Sequence, residues 1–141
     1  MKDKKDIENE LKNITHKLNQ QKNIVVGYLY GSYATGDATS KSDIDIGVVL
    51  GPNKANVLLE ESRLNEDLND NSEFVVQVSV LNEKSPFFRY KAIGPRHILF
   101  SKDEGFRADF EVGTLNQYFD MQNFYEENYQ SAVKLAKTND R

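Results

Sequence analysis

Residues 31–48 read GSYATGDATSKSDIDIGV. Asp43 and Asp45 stand one residue apart, and Ser32 lies eleven residues before the first of them. Ile44, Ile46 and Val48 alternate with Asp43, Asp45 and Gly47, the period of a half-buried strand. The two carboxylates therefore share a face. So close together they repel, unless a cation sits between them or one takes up a proton. Oxygen ligands of this kind suit a hard divalent ion such as Mg²⁺, which often shares its shell with phosphates. The Gly31-Ser32 pair closes another strand-like run, Ile24 to Tyr30. Glycine there lets backbone amides approach an anion. The serine hydroxyl and the amides of the following turn can then hold phosphate oxygens. Cation ligands opposite an anion cradle make a layout for a metal-bound nucleoside triphosphate.

The elements around this stretch follow from periodicity and turn chemistry. Ile7, Leu11, Ile14 and Leu18 form one apolar stripe, which predicts a helix over 3–20. Ile24 to Tyr30 and Asp43 to Leu50 are strands, joined by too little chain for a full helix, so they are expected to pair antiparallel. A helix is expected over 54–69, with Val57, Leu58, Leu64 and Leu68 toward the core, then a third strand from Phe74 to Leu81. Ser85-Pro86 is a helix start, and Gly94-Pro95 ends that helix. His97 to Ser101 reads as a fourth strand. From Asp103 the pattern is helical and aromatic, with Gly113 a place for a kink or break and a frayed end over 138–141. The order predicts an α/β (α+β) layer structure. The expectation is a single domain over 1–141: an N-terminal helical part (1–22), a core (24–101) and a C-terminal helical segment (103–137).

Composition narrows the function. The 141 residues carry 18 basic and 22 acidic side chains, net −4, with no basic run to mark a nucleic-acid binder. There is no cysteine, which excludes disulfides and thiolate zinc sites and fits a reducing, cytoplasmic setting. No apolar segment follows the N-terminal lysines, and no run is long enough to span a bilayer, so no membrane is expected.

GSYATGDATSKSDIDIGV resembles the Gly-Ser … Ser-Asp-x-Asp signature of the DNA polymerase beta-like nucleotidyltransferases, and most closely their minimal nucleotidyltransferase (MNT) branch. Gly31, Ser32, Gly36, Ser42, Asp43 and Asp45 fall on the motif positions. Leu81-Asn82, Ser85 to Tyr90, and the stretch from Phe106 through Tyr118, Phe119 and Asp120 resemble later parts of that branch. The resemblance implies a nucleotidyltransferase fold, a small twisted mixed sheet flanked by helices, with a long C-terminal helix. It implies Mg²⁺-dependent transfer of AMP from ATP, with Asp43 and Asp45 as metal and catalytic ligands and Gly31, Ser32 and Ser42 binding nucleotide. It also implies an antitoxin role beside a HEPN-type toxin partner, whose tyrosine would be the acceptor.

Two positions depart from the pattern. The family's third carboxylate falls, by the same resemblance, on Gln77, which cannot take a proton. Glu73, placed four residues away on the same strand, and Glu83, beyond its end, are the acids nearest in sequence. Thr35 stands where many relatives carry arginine. An active transferase is therefore weighed against a catalytically impaired, nucleotide- or toxin-binding antitoxin module, with transfer to a small molecule ranked last. Plainer roles stand beside these. Asp-x-Asp alone is usually a solvated face, Gly36 serves a turn, Ser42 braces the loop, and His16 and His97 pack or face solvent. Arg89 and Tyr90 are expected to pack on the C-terminal helix. Its aromatic pattern is expected in the core, or as a surplus patch for a partner helix or a second copy in a homodimer.

Overall fold

The computed structural model describes residues 3–52 and 56–139. Residues 54 and 55, where the third helix was expected to begin, and 140–141 of the expected frayed end lie outside these.

Helix α1 (Lys4–Asn19) starts at a reciprocal cap. The Asp6 amide donates to Asp3 Oδ1 at 2.9 Å and the Asp3 amide to Asp6 Oδ2 at 3.1 Å. Strands β1 (Ile24–Tyr30) and β2 (Ile44–Leu50) pair antiparallel, with Tyr30 opposite Asp45. The turn between them holds only α2 (Ser32–Thr35) and a loop. Helix α3 (Val57–Asn69) crosses over to β3 (Val76–Val80), which runs parallel to β2 with Gln77 beside Asp45. A 3-10 turn (Leu81–Glu83) leads into α4 (Pro86–Ile93), whose first turn is capped when the Phe88 amide donates to the Ser85 hydroxyl. Strand β4 (His97–Ser101) returns antiparallel to the far side of β1, and α5 (Glu104–Asn139) closes the chain. The sheet order is β3-β2-β1-β4.

Alternation along the strands sorts the core into two layers. Leu29, Ile44, Ile46, Val48, Val76 and Val78 meet Ile14 and Leu18 of α1 and Leu64 and Leu68 of α3. Tyr28, Tyr30 and Val49 meet Leu81, Ala92 and Ile93, with Phe106 and Phe110 of α5 against them. Each fully buried aliphatic side chain contributes about 1.5–3 kcal/mol. Buried Tyr28 ties α5 to the sheet: its hydroxyl donates to Glu111 Oε1 at 3.0 Å, and Arg107 holds the same carboxylate. Burial and the Glu111 charge push the Tyr28 phenol well above its ordinary range.

The outer edge of β3 is closed by side chains of α3. Asn65 accepts from the Val78 amide at 2.7 Å and donates to its carbonyl at 2.9 Å; Asn69 does the same for Val76 at 2.8 and 2.7 Å. The Val80 amide donates to Glu61 Oε2 at 2.9 Å. Two carboxamides thus mimic a neighbouring strand.

Several expectations are corrected. Leu58 is 77% exposed, because α3 turns Val57 and Leu64 inward and leaves Leu58 on the outer face. Strand β3 begins at Val76, two residues later than expected, and ends at Val80. Gly113 does not break α5, which runs on for 36 residues. Only its first turns pack on the core: Phe119, Phe124, Tyr125 and Tyr129 are exposed, since the sheet is too short to cover a helix of about 54 Å. Tyr90 and Arg89 pack as expected. Tyr90 stacks on Tyr118 at 3.9 Å, and Arg89 Nε donates to the Leu81 carbonyl at 2.8 Å while its guanidinium lies over Phe110.

Candidate active site

The site forms where β1 ends. Gly31 adopts φ +74°, ψ −158°, a conformation that side chains forbid. The reason is its neighbour: a Cβ at Gly31 would lie 2.2 Å from Asp45 Oδ2. The Asp45 carboxylate therefore rests directly on the glycine backbone. The Gly31 carbonyl then accepts from Ala34 and Thr35, and the Ser32 carbonyl from Gly36 and Asp37, which winds the single turn of α2. Gly36 ends it at φ +86°, as its expected turn role requires. No side chain caps the start of α2. Thr35 Oγ1 turns back to the Gly31 carbonyl (3.3 Å) and to Asp37 (3.0 Å), so it stays within the turn.

The loop from 37 to 43 is drawn together by Ser42. Its hydroxyl accepts from the Thr39 amide at 2.8 Å, and its amide donates to the Thr39 carbonyl at 3.1 Å. This fixes the chain one residue before Asp43. Asp43 immediately precedes β2, which starts at Ile44 with a 2.8 Å bond from its amide to the Val75 carbonyl. Asp43 is exposed and Asp45 half-buried. Burial raises the Asp45 carboxyl above its ordinary value, the Asp43 charge raises it further, and Lys91 of α4 opposes both.

Gln77 stands beside Asp45 in register on β3, its side chain exposed. The two acids considered as replacements are elsewhere. Glu73 precedes β3 and lines a separate cleft with Asp6, Glu10 and Asn13 of α1. Glu83 lies past the opposite end of β3, six residues from Gln77, in the 3-10 turn that follows three further strand residues, a rise of about 10 Å. Among the described residues no group of three or more His, Cys, Asp or Glu side chains is placed to hold a metal. The donor set is thus two carboxylates and one amide oxygen. It fits one hard divalent cation: all donors are oxygen, and the paired acids carry unbalanced negative charge.

Beside the turn opens a cleft of about 650 Å³, lined by Ser32, Tyr33, Gly36 and Thr39, by the first turns of α1, and by His97. His97 lines this cleft and is exposed, in keeping with the expected solvent-facing role. Lys91 was not anticipated from the sequence. No local pattern marks a lysine whose proximity to Asp45 depends on how α4 crosses the sheet. Gly31, Ser32, Asp43, Asp45 and Gln77 are brought to one end of the sheet, while Ser42 is engaged in the loop behind them. Among the described residues no helix is long and apolar enough to cross a membrane.

Comparison with known proteins agrees with this fold. The family model "Polymerase beta, Nucleotidyltransferase" matches residues 12–105, more than half the chain. A search among curated proteins yields no match. Among solved structures, the fold is similar to a chain of a toxin–antitoxin complex with AMP-PNP, at 20% identity and TM-score 0.67, covering 89% of this chain and 98% of that one. It is equally similar (TM-score 0.67, 19% identity, 89% and 98% covered) to a chain of a tri-AMPylated Shewanella oneidensis HEPN toxin in complex with MNT antitoxin. A further Shewanella oneidensis structure matches at TM-score 0.63 and 19% identity over 93% and 99% of the two chains. By the family match and the shared fold, the chain belongs to the polymerase beta nucleotidyltransferase family.

Proposed function

We propose that this chain is an Mg²⁺-dependent adenylyltransferase that modifies a tyrosine of a HEPN-type toxin and so acts as its antitoxin. The observation that carries the reading is the seating of the Asp45 carboxylate on Gly31, with Asp43 alongside. One turn then holds both a negative pair for a cation and open backbone amides for phosphate oxygens. The nucleotide-bound and AMPylated complexes that share the fold support the choice of ATP and of a protein acceptor.

In this reading Gly31 and Ser32 hold the triphosphate, and Ser42 keeps the loop in place beneath it. Asp43 and Asp45 hold the Mg²⁺, which when bound offsets phosphate charge and polarises the P–O bonds. The tyrosine oxygen attacks the α-phosphorus of ATP. The new O–P bond forms as the bond to pyrophosphate breaks, and the phenolic proton passes to water, since Gln77 cannot accept it. Lys91 adds positive charge beside the pair.

A second reading is favoured by one observation. Gln77 occupies the strand position beside Asp45 where a third carboxylate would stand. In that reading the chain binds nucleotide or toxin but is catalytically impaired. Incubation with α-labelled ATP, Mg²⁺ and a candidate HEPN-type toxin separates the two. Transfer by the wild type, lost in Asp45→Asn, supports the first. Transfer only by Gln77→Asp supports the second. Absence of any Asp45-dependent Mg·ATP binding overturns the first, and absence of toxin binding as well overturns the second.

A further inference from the structure

The two edges of the sheet are treated differently. Asn65, Asn69 and Glu61 close the outer side of β3. Strand β4 has no such cover. Among the described residues its backbone hydrogen-bonds only to β1, and no side chain hydrogen-bonds to the backbone of residues 97–101. Lys102, the residue that could guard this edge, is turned away: its ammonium donates to the Gln21 carbonyl and lies over the Phe100 ring. An open edge presents alternate N–H and C=O groups to any extended chain.

Each face of β4 also borders a cavity. His97 lines the 650 Å³ cleft that leads to Ser32. Ile98 lines a second cavity, of about 390 Å³, between α4 and α5. A strand laid along β4 would send alternate side chains toward the two faces, the arrangement by which edge-strand receptors gain specificity. The second cavity contains Arg96, Arg107 and Glu111. Arg107 is paired with Glu104 and Glu111, whereas the Arg96 guanidinium has no partner among the described residues. Arg96 is held there at φ +58°, a conformation uncommon for a side-chain-bearing residue.

We propose that the outer edge of β4 is a docking strand for an extended segment of a partner protein, one of whose acidic side chains meets Arg96. A second copy of this chain fits less well. Antiparallel self-pairing centred on Leu99 would offer Arg96 no acidic side chain, since residues 96–102 read RHILFSK. The proposal rests on the reading that the chain works with another protein, not on nucleotide transfer.

The test uses the full chain without ATP or Mg²⁺. A displayed library of random ten-residue peptides is selected on it, and the recovered sequences are synthesised. Amide hydrogen exchange is expected to slow at residues 97–101 on binding. Changing the peptide's acidic residue to Lys should weaken binding at least tenfold, and Arg96→Glu should reverse that preference. N-methylation of alternate peptide amides should abolish binding, because it removes ladder bonds and keeps side chains. Three results overturn the proposal: recovery of no peptide that protects 97–101, indifference of binding to the charge at Arg96, or self-association of the free chain with those amides already protected. Peptide binding that persists in a chain shown inactive in transfer leaves the docking strand standing and the enzymatic reading refuted.

Discussion

Gly31→Ala tests the contact on which the site depends. Two costs follow from the structure. The backbone, at φ +74° and ψ −158°, lies in a region essentially reserved for glycine, and holding a side chain there costs about 1–3 kcal/mol. The new Cβ would also lie 2.2 Å from Asp45 Oδ2, where real Cβ contacts tighter than 3.4 Å are uncommon. The carboxylate must retreat by roughly 1 Å, a displacement that can cost about 10²-fold in a positioned reaction. Gly36→Ala is the control. It too has positive φ, +86°, but nothing lies within 4 Å of its Cβ position. It should lose about 1–2 kcal/mol through strain alone. Thermal melts read the first cost: at about 3–4 °C per kcal/mol for this size, Gly31→Ala falls by about 3–12 °C. Isothermal titration with Mg²⁺ and a non-hydrolysable ATP analogue reads the second. Gly31→Ala is expected to lose Mg-dependent binding and Gly36→Ala to keep it. Equal binding by the two variants would refute the claim that Asp45 is held by its contact with Gly31.

Other expectations follow from single features. Asp45 has a raised carboxyl, so its contribution to stability is fully present at acid pH and is lost as pH rises through the folded-state value. Asp45→Asn should therefore raise the melting temperature in EDTA at about pH 8, by more than at about pH 4, and should lose any stabilisation by Mg·ATP. Asn65→Ala leaves the Val78 amide and carbonyl without their partner and should cost about 2 kcal/mol in urea unfolding. Glu83→Gln should leave transfer within about twofold of wild type, because that side chain sits at the end of β3 remote from Asp45. A larger loss in the labelled-ATP assay would mean that the turn after β3 folds back to the site.

The long C-terminal helix carries a surface distinct from the site. Phe87 packs against Tyr118 and Tyr125, with ring centroids 5.4 and 5.8 Å away, yet Phe87 and Tyr125 remain exposed. Aromatic packing continues along α5 after the sheet has ended. This explains why its pattern resembles that of a core helix while its outer half does not enter the core.

What the sequence determined by itself is what neighbours in the chain enforce. Alternation in Asp43 to Val48, the α1 stripe, the Ser85-Pro86 start and the Gly31 and Gly36 turns are local preferences of backbone and solvent, and the structure has all of them. The antiparallel pairing of β1 and β2 was legible for the same reason, because the short connection leaves no other arrangement. The tertiary structure decided what depends on distant partners. Register put Gln77, not Glu73 or Glu83, beside Asp45. The crossing of α4 set the Lys91 charge where it opposes the rise of the Asp45 carboxyl, the length of the sheet left half of α5 exposed, and α3 closed one sheet edge while the other stayed open. Such features carry no local signal, because the free energies that select them come from burial and pairing between segments far apart in sequence.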